Sequence, residues 1–385
     1  MTLAQPIHLI DRSRVVAREE CPRMRYLTYD FEGTGVESDS QALPLLAGIA
    51  IHSAHARLLM GESVDQVVTD VIGSYKVEMA ARGLLGIDVT EALIREQSSL
   101  LEGMLRMWTK VRLPALLADY DVMSVEKAWR WTLTPGLQQS LRMDAILRRK
   151  DTGLIFILDF KTVSYPSEIW GEKFEHDHQT LLYVQAIEEE VGEPVGGIIY
   201  EGLVKGLFKK DTSFKSDWFN QKVQLSPYTM CYMAEEGEAG RTFQTPYTSK
   251  KAYRKVRPYD HMTMTEWVDY LIENEPSTVE QLFIIVPEIL PPAAERIELK
   301  QQVIREELSY FDQLARYNAM EDGLEKDTFL DILAPKRRQR CFKYGLDNKC
   351  VFAASVCFNQ GSHPLRDGGF RPRTPHHDTD LKVIA

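Results

Sequence analysis

The stretch RMDAILRRKDTGLIFILDFKT, Arg142 to Thr162, sets two acids and a lysine into segments that otherwise suit a buried hairpin. Side chains alternate along a strand, so Asp159 and Lys161 share a face. KDTG, Lys150 to Gly153, is hairpin-turn chemistry. With the turn centred between Asp151 and Thr152, Asp144 falls directly opposite Asp159. Opposed residues share a face, with Cβ atoms about 5 Å apart. Two like charges there repel unless a cation sits between them. A divalent ion bridged by both carboxylates removes the conflict, and Mg²⁺ favours such oxygen ligands. The reading depends on register, because a slip of one residue would send the acids to opposite faces.

The bland alternative is an exposed strand end with a surface Lys–Asp pair. The neighbours argue against it. Leu154, Phe156, Leu158 and Phe160 fill one face of the second strand, and Ile155 and Ile157 precede Asp159 on the other. A strand apolar on both faces is central to its sheet, and charges at its end need partners.

The elements that must hold this hairpin follow from periodicity. LPLLAGIAIHSAHARLLM, Val64 to Met79 and Ala92 to Val111 repeat apolar residues at spacings of three and four, which predicts helices. DVMSVEKAWRWTL alternates and is rich in β-branched and aromatic residues, so it reads as a strand. Leu141 to Arg149 and Leu154 to Thr162 are two more strands. HDHQTLLYVQAIEEEVG is an amphipathic helix ending at Gly192, and VGGIIYEGLVKG is another strand. Strand, strand, strand, helix, strand over 121–205 spells an α/β core in which an antiparallel hairpin feeds a helical crossover. Beyond it, TEWVDYLIENE suits a helix, VEQLFIIVPEIL a strand, and 293–320 a long charged helix. The chain therefore divides into an N-terminal cysteine and helical region (1–120), the core (121–205), a mixed region (206–335), a cysteine segment (336–360) and a flexible tail (361–385).

Asp144, Asp159 and Lys161 resemble the motif of the PD-(D/E)xK nuclease superfamily, in its RecB-like branch, with Met143 where the family name has proline. The resemblance implies a restriction-endonuclease-like core, a mixed central sheet flanked by helices, with an N-terminal helical insertion and a C-terminal cysteine cluster. It implies that Asp144 and Asp159 ligate Mg²⁺ or Mn²⁺, that the Phe160 carbonyl adds an oxygen, and that Lys161 holds the attacking water or stabilises charge on the phosphate. His52, after the small residues of LAGIA, matches the branch's helical metal ligand, while His55 reads as a packed core residue. Gln179 and Tyr183 match its QxxxY motif, and four-residue spacing puts both on one helix face. They would contact the DNA backbone or steady the site. Glu126, on the preceding strand, matches an acid that supports the metal shell, and an ordinary exposed strand glutamate reads equally well there.

Cys21, in CPRMRYL, and Cys341, Cys350 and Cys357, in CFKYGLDNKCVFAASVC, resemble the one-plus-three cysteines with which some of these nucleases bind a 4Fe-4S cluster. The gaps between the last three depart from the usual spacing, so zinc stays open for the same thiolates. Such a centre would tie residue 21 to residue 357 and make 60–118 a helical cover over the core. KRRQR, from Lys336, would then line the path of a single strand. Cys231 has no matching context and reads as structural.

The net charge of −10 over 385 residues excludes a protein that coats nucleic acid by bulk charge, though not a local basic groove. No apolar run reaches a membrane span, and the N-terminus lacks a signal-peptide core, so the expectation is a cytoplasmic protein with DNA, and no membrane, as its partner. No GxxxxGK[ST] loop occurs, so any motor is a partner; a helicase, a recombinase or CRISPR adaptation proteins remain open. The expected activity is a DNA exonuclease serving recombination, repair or processing. A non-catalytic nuclease-like DNA-binding subunit and an Fe-S redox protein are the competing classes.

Overall fold

The computed structural model describes residues 7–38, 43–83, 91–163, 170–208, 224–228, 232–235, 253–256, 262–341, 350–358, 363–367 and 369–374. Twelve strands lie in these residues. They are β1 (His8–Ile10), β2 (Val36–Ser38), β3 (Tyr120–Thr134), β4 (Leu137–Arg149), β5 (Ile155–Val163), β6 (Val195–Val204), two short hairpins β7–β8 (Leu207–Phe208, Gln224–Leu225) and β9–β10 (Tyr232–Glu235, Tyr253–Val256), β11 (Phe283–Ile289) and β12 (Phe370–Pro372). The main helices are α1 (Arg12–Glu20), α2 (Pro22–Tyr29), α3 (Leu43–Leu59), α4 (Val64–Gly83), α5 (Glu91–Asp119), α6 (His178–Val191), α7 (Met264–Asn274), α8 (Pro276–Glu280), α9 (Ala293–Ala319), α10 (Leu324–Leu333), α11 (Arg338–Cys341) and α12 (Pro364–Asp367).

The protein is α/β, with a mixed sheet flanked by helices. β4 pairs antiparallel with β3 along one edge; its other edge takes the parallel β1 at one end and the antiparallel β5 at the other. β5 and β6 are parallel and joined through α6, and β11 closes the sheet antiparallel to β6. The segment read as a strand near residue 284 is thus part of this sheet.

β5 is central, as its two apolar faces required. Phe156, Leu158 and Phe160 pack with α3, α4, α5 and α7, whereas Ile155, Ile157 and Val163 pack with α6 and α9. Each such side chain contributes about 1.5–3 kcal/mol by leaving water. Leu154 instead lies between the turn and β5 and is exposed. α6 starts on Asp177, whose carboxylate accepts from the Gln179 N–H, and ends on Gly192 at φ 68°, where a side chain would be strained. A third cluster joins Tyr26, Leu27 and Val36 to Tyr310, Leu333, Phe352 and Phe370. Within the stretch expected to be a flexible tail, Phe370–Pro372 pair antiparallel with Val36–Ser38, and Phe370 is buried. That pairing is non-local and left no periodic signal in three residues.

Candidate metal centre and cysteine site

The hairpin has the expected register. Arg149 N–H donates to Leu154 O and Gly153 N–H to Arg149 O, at 2.9 and 2.8 Å, so the turn spans Lys150 to Gly153. Gly153 takes φ 75°, which favours glycine. Pairing then runs from Arg148–Ile155 to Ala145–Leu158. One step further along that register lies Asp144–Asp159. On the other edge of β4, Val125 pairs with Ala145 and Lys127 with Met143, so Glu126 lies across from Asp144. Asp159 pairs with Tyr200. Three acids thus form one row across three strands.

Each acid has its own partners. Asp144 Oδ1 bonds to His52 Nδ1 at 2.9 Å, and Oδ2 accepts from the Phe160 N–H at 2.7 Å. Burial works against the charged form of Asp144, but His52 and the Phe160 amide outweigh it and hold the carboxyl below its usual value. Burial likewise opposes the charged His52, and the bond to Asp144 raises it above the ordinary imidazole value. Asp159 is pushed up, first by burial and then by the Asp144 charge, against the pull of Lys161. Its Oδ2 meets the Lys161 ammonium and its Oδ1 accepts from Gln179 Nε2. Gln179 Oε1 accepts from Lys161 at 3.2 Å, so one amide clamps both residues. Glu126 accepts from Arg142 Nε. Its backbone is left-handed, φ 47°, an uncommon conformation for a glutamate inside a strand.

His52, Glu126 and Asp144 offer ligand atoms all within 4.8 Å of one another, the one such group of three among the described residues. A nitrogen and two carboxylates suit a divalent ion such as Mn²⁺ or Mg²⁺. Of the residues expected as metal ligands, His52 and Asp144 are in this group together with Glu126, expected as support; Asp159, on the neighbouring strand, is not one of its three and meets Lys161 and Gln179. Tyr183 is buried rather than turned to a ligand, and its hydroxyl meets the backbone of Arg142, so it steadies β4 beside Asp144. His55 is a core residue, as read: it is fully buried between Trp108 and Phe160, with ring centroids 4.2 and 4.1 Å away.

Sequence reasoning missed Arg12 and Asp177. Arg12 grips Asp177 with Nε and Nη2 at 2.7–3.1 Å, which fixes the start of α6 and with it Gln179. The aspartate ahead of the helical HQTLLYVQA run was a readable cap signal; its distant arginine was not.

Cys21 lies near enough to Cys341, Cys350 and Cys357 for its charge to act on all three. Cys21 lies between α1 and α2, Cys341 ends α11, and Cys350 N–H donates to Cys341 O at 2.9 Å. Arg23 donates to Ala334 O at 2.8 Å and pairs with Asp331 at 2.5 Å, binding α2 to the C-terminal segment. Burial raises the thiols of Cys341, Cys350 and Cys357, and the charge of Cys21 adds to all three. No three of the sulfurs lie within 4.8 Å of one another among the described residues. Thiolates about 2.3 Å from one tetrahedral zinc ion would stand closer than that. KRRQR is exposed, and its Arg337 donates to Glu19 O. Cys231 lies outside the described residues.

No family model matches the chain, and no curated protein matches it. No helix among the described residues is long and apolar enough to cross a membrane.

Proposed function

We propose that this chain is a metal-dependent DNA nuclease with a restriction-endonuclease-like core of the RecB-like kind, hydrolysing phosphodiester bonds at DNA ends or in single strands. One observation carries the reading: Glu126, Asp144 and Asp159 form a single row, with His52 at its head and Lys161 beside it. Buried acids so arranged are costly unless they hold a cation. A divalent ion bound there supplies a Lewis acid for the phosphate and a water of lowered pKa. His52, Glu126 and Asp144 would hold it. Asp144 is preorganised, since both of its oxygens are already positioned. Lys161, oriented by Gln179, offers its ammonium to the water or to the charge that develops on the phosphate.

A time course on end-labelled single- and double-stranded DNA with Mg²⁺ or Mn²⁺ tests this, and it also reads out polarity. Lys161→Ala should lower the rate by about 100-fold or more. Degradation that survives Lys161→Ala would sink the mechanism. DNA binding without any degradation by the wild type would favour a non-catalytic DNA-binding subunit.

The cysteines belong to the same proposal as a 4Fe-4S centre that staples the two ends of the chain. In such a cluster each thiolate binds a different iron, so the sulfurs stand further apart than around one zinc ion. Absorbance in the blue that is lost in Cys350→Ser supports the cluster; a colourless, zinc-loaded protein would exclude it.

A further inference from the structure

Beside Lys161, β6 carries a group of side chains that the proposed chemistry leaves unused. In the parallel β5–β6 register Asp159 lies beside Tyr200 and Lys161 beside Gly202. Trp170 packs on Gly202, where a Cβ would stand 2.8 Å from the indole ring, so a glycine there makes its seat. Phe174 stacks on Tyr200 with ring centroids 3.9 Å apart, and Trp170 meets Phe174 edge-on at 4.8 Å. Thr180 locks the stack: its hydroxyl donates to Phe174 O at 2.6 Å and bonds to the Tyr200 hydroxyl at 2.8 Å. All three rings are buried. What they hold up to solvent is Lys173, in the helical turn Glu172–Phe174. Its ammonium lies 4.7 Å from the Phe174 ring centroid and 5.4 Å from that of Trp170. Lys161 lies over the Tyr200 ring of the same stack, 5.7 Å from its centroid. Two ammonium groups thus rest on one buried aromatic scaffold.

The two lysines differ in their partners. Lys161 is engaged by Asp159 and Gln179. Lys173 is exposed, and no carboxylate among the described residues pairs with it, although Glu172 and Glu175 flank it in sequence. Burial against the rings opposes its charge, and Lys161 and then Arg12 oppose it further against the pull of Asp177, so its pKa is lowered. A lysine with no task gains by turning away from like charges. This one is held among them by the rings, and an anion beside it would offset the repulsion. We propose that Lys173 binds the phosphate next to the one that is cleaved, as a second cation of the site. The inference rests on the nuclease reading and adds a path to it. The strand leaves the metal-binding row, passes Lys161 and crosses the Phe174–Tyr200 stack to reach Lys173.

The test combines three readouts. Binding of an end-labelled single-stranded oligonucleotide in Ca²⁺ is followed by fluorescence anisotropy over a series of salt concentrations. Mn²⁺ binding to the protein alone is followed by the loss of the free-ion spin-resonance signal. Lys173→Gln should weaken DNA binding about tenfold at low salt. It should also lower the slope of log Kd against log salt by about 0.7, the value for one phosphate of a single strand. Lys173→Arg should keep the slope, and neither variant should alter Mn²⁺ binding. An unchanged slope in Lys173→Gln would overturn the inference. Weaker Mn²⁺ binding in that variant would overturn it too, since the lysine would then be supporting the metal-binding row through its scaffold. The place of the contact is read from hydrolysis, in Mg²⁺, of oligonucleotides with one neutral methylphosphonate linkage next to the cleaved bond. On one side of that bond the neutral linkage should slow the wild type about tenfold and leave Lys173→Gln at its rate on ordinary DNA. Equal slowing of both proteins would overturn the neighbouring placement. A wild type that binds DNA but hydrolyses none, with the slope still reduced in Lys173→Gln, would remove the nuclease reading and keep Lys173 as a phosphate contact.

Discussion

His55 gives a prediction that can be worked through in numbers. It is fully buried, wedged between Trp108 and Phe160, and neither ring nitrogen has a hydrogen-bond partner among the described residues. Burial, with the His52 charge adding to it, lowers its pKa from 6.5 to about 3. The folded protein therefore keeps this imidazole neutral down to about pH 3, while the unfolded chain takes up a proton below pH 6.5. Between those values the unfolded state binds more protons, so stability falls as pH falls. At pH 5 the loss relative to pH 8 is about 2 kcal/mol, one and a half pH units at roughly 1.4 kcal/mol each. His55→Phe keeps a flat ring in the wedge and removes both unpaired nitrogens. It should be more stable at pH 8 by about 1 kcal/mol, the low end for an unsatisfied buried group because the ring is slightly larger. At pH 5 its advantage should grow to about 3 kcal/mol. Urea unfolding at both pH values, followed by tryptophan fluorescence, measures the two gaps. Other titrating groups are common to both proteins and cancel in the difference. If the gap is the same at pH 5 and pH 8, His55 is either charged in the fold or hydrogen-bonded, and the reasoning fails.

Asp177 titrates with the opposite consequence. Burial opposes its charge, but Arg12 and the Gln179 amide hold it below the usual carboxylate value, so its contribution is present above the unfolded pKa near 3.8 and is lost as pH falls through the lower folded value. Asp177→Asn keeps a capping oxygen and loses the ion pair, and should cost about 1 kcal/mol, whereas Asp177→Ala also loses the cap and should cost about 2 kcal/mol, both read by urea unfolding at pH 7. Cys357, raised to about 11 by burial and by its neighbouring thiols against the pull of Arg23, should alkylate far more slowly in the metal-free protein at pH 8 than after unfolding, as mass spectrometry of iodoacetamide-treated protein would show. Gln179→Leu removes the amide shared by Lys161 and Asp159; DNA hydrolysis should fall by about tenfold or more while the protein stays folded by circular dichroism.

The parts of this site that the sequence disclosed are local ones. Periodicities of three to four residues carried α3, α4 and α5, and two apolar faces carried the central place of β5. The four-residue turn fixed the register, so counting from it put Asp144 against Asp159. What stayed hidden depends on distant or irregular backbone. Nothing in SVEKAW signals that Glu126 turns left-handed, and its place in the ligand set follows from β3 pairing along the full length of β4. Arg12 reaches Asp177 across 165 residues, with no periodic pattern between them. The two acids of the motif also looked alike in sequence. Folded, one is braced by histidine and an amide and the other by lysine and glutamine, which drives their protonation in opposite directions.

That asymmetry bears on how a chain of net charge −10 could handle a polyanion. At long range such a protein repels DNA, and salt screens the repulsion beyond about 10 Å. Close in, the balance is local. Three carboxylates face Lys161, Arg142 and a histidine whose proton is favoured, so the row is nearly neutral without a metal ion. In that state Lys161 and Arg142 each face a carboxylate, which offsets the attraction either has for a phosphate. A divalent ion held by His52, Glu126 and Asp144 would add two positive charges to this row, beside the Lys161 that Asp159 and Gln179 orient. On the proposed reading the protein should therefore show little affinity for DNA in chelator and gain it with Ca²⁺, an ion that binds oxygen ligands but need not support the reaction. DNA affinity that is equal in chelator and in Ca²⁺ would place the binding on a surface away from this row, and would leave the paired cations with a structural role alone.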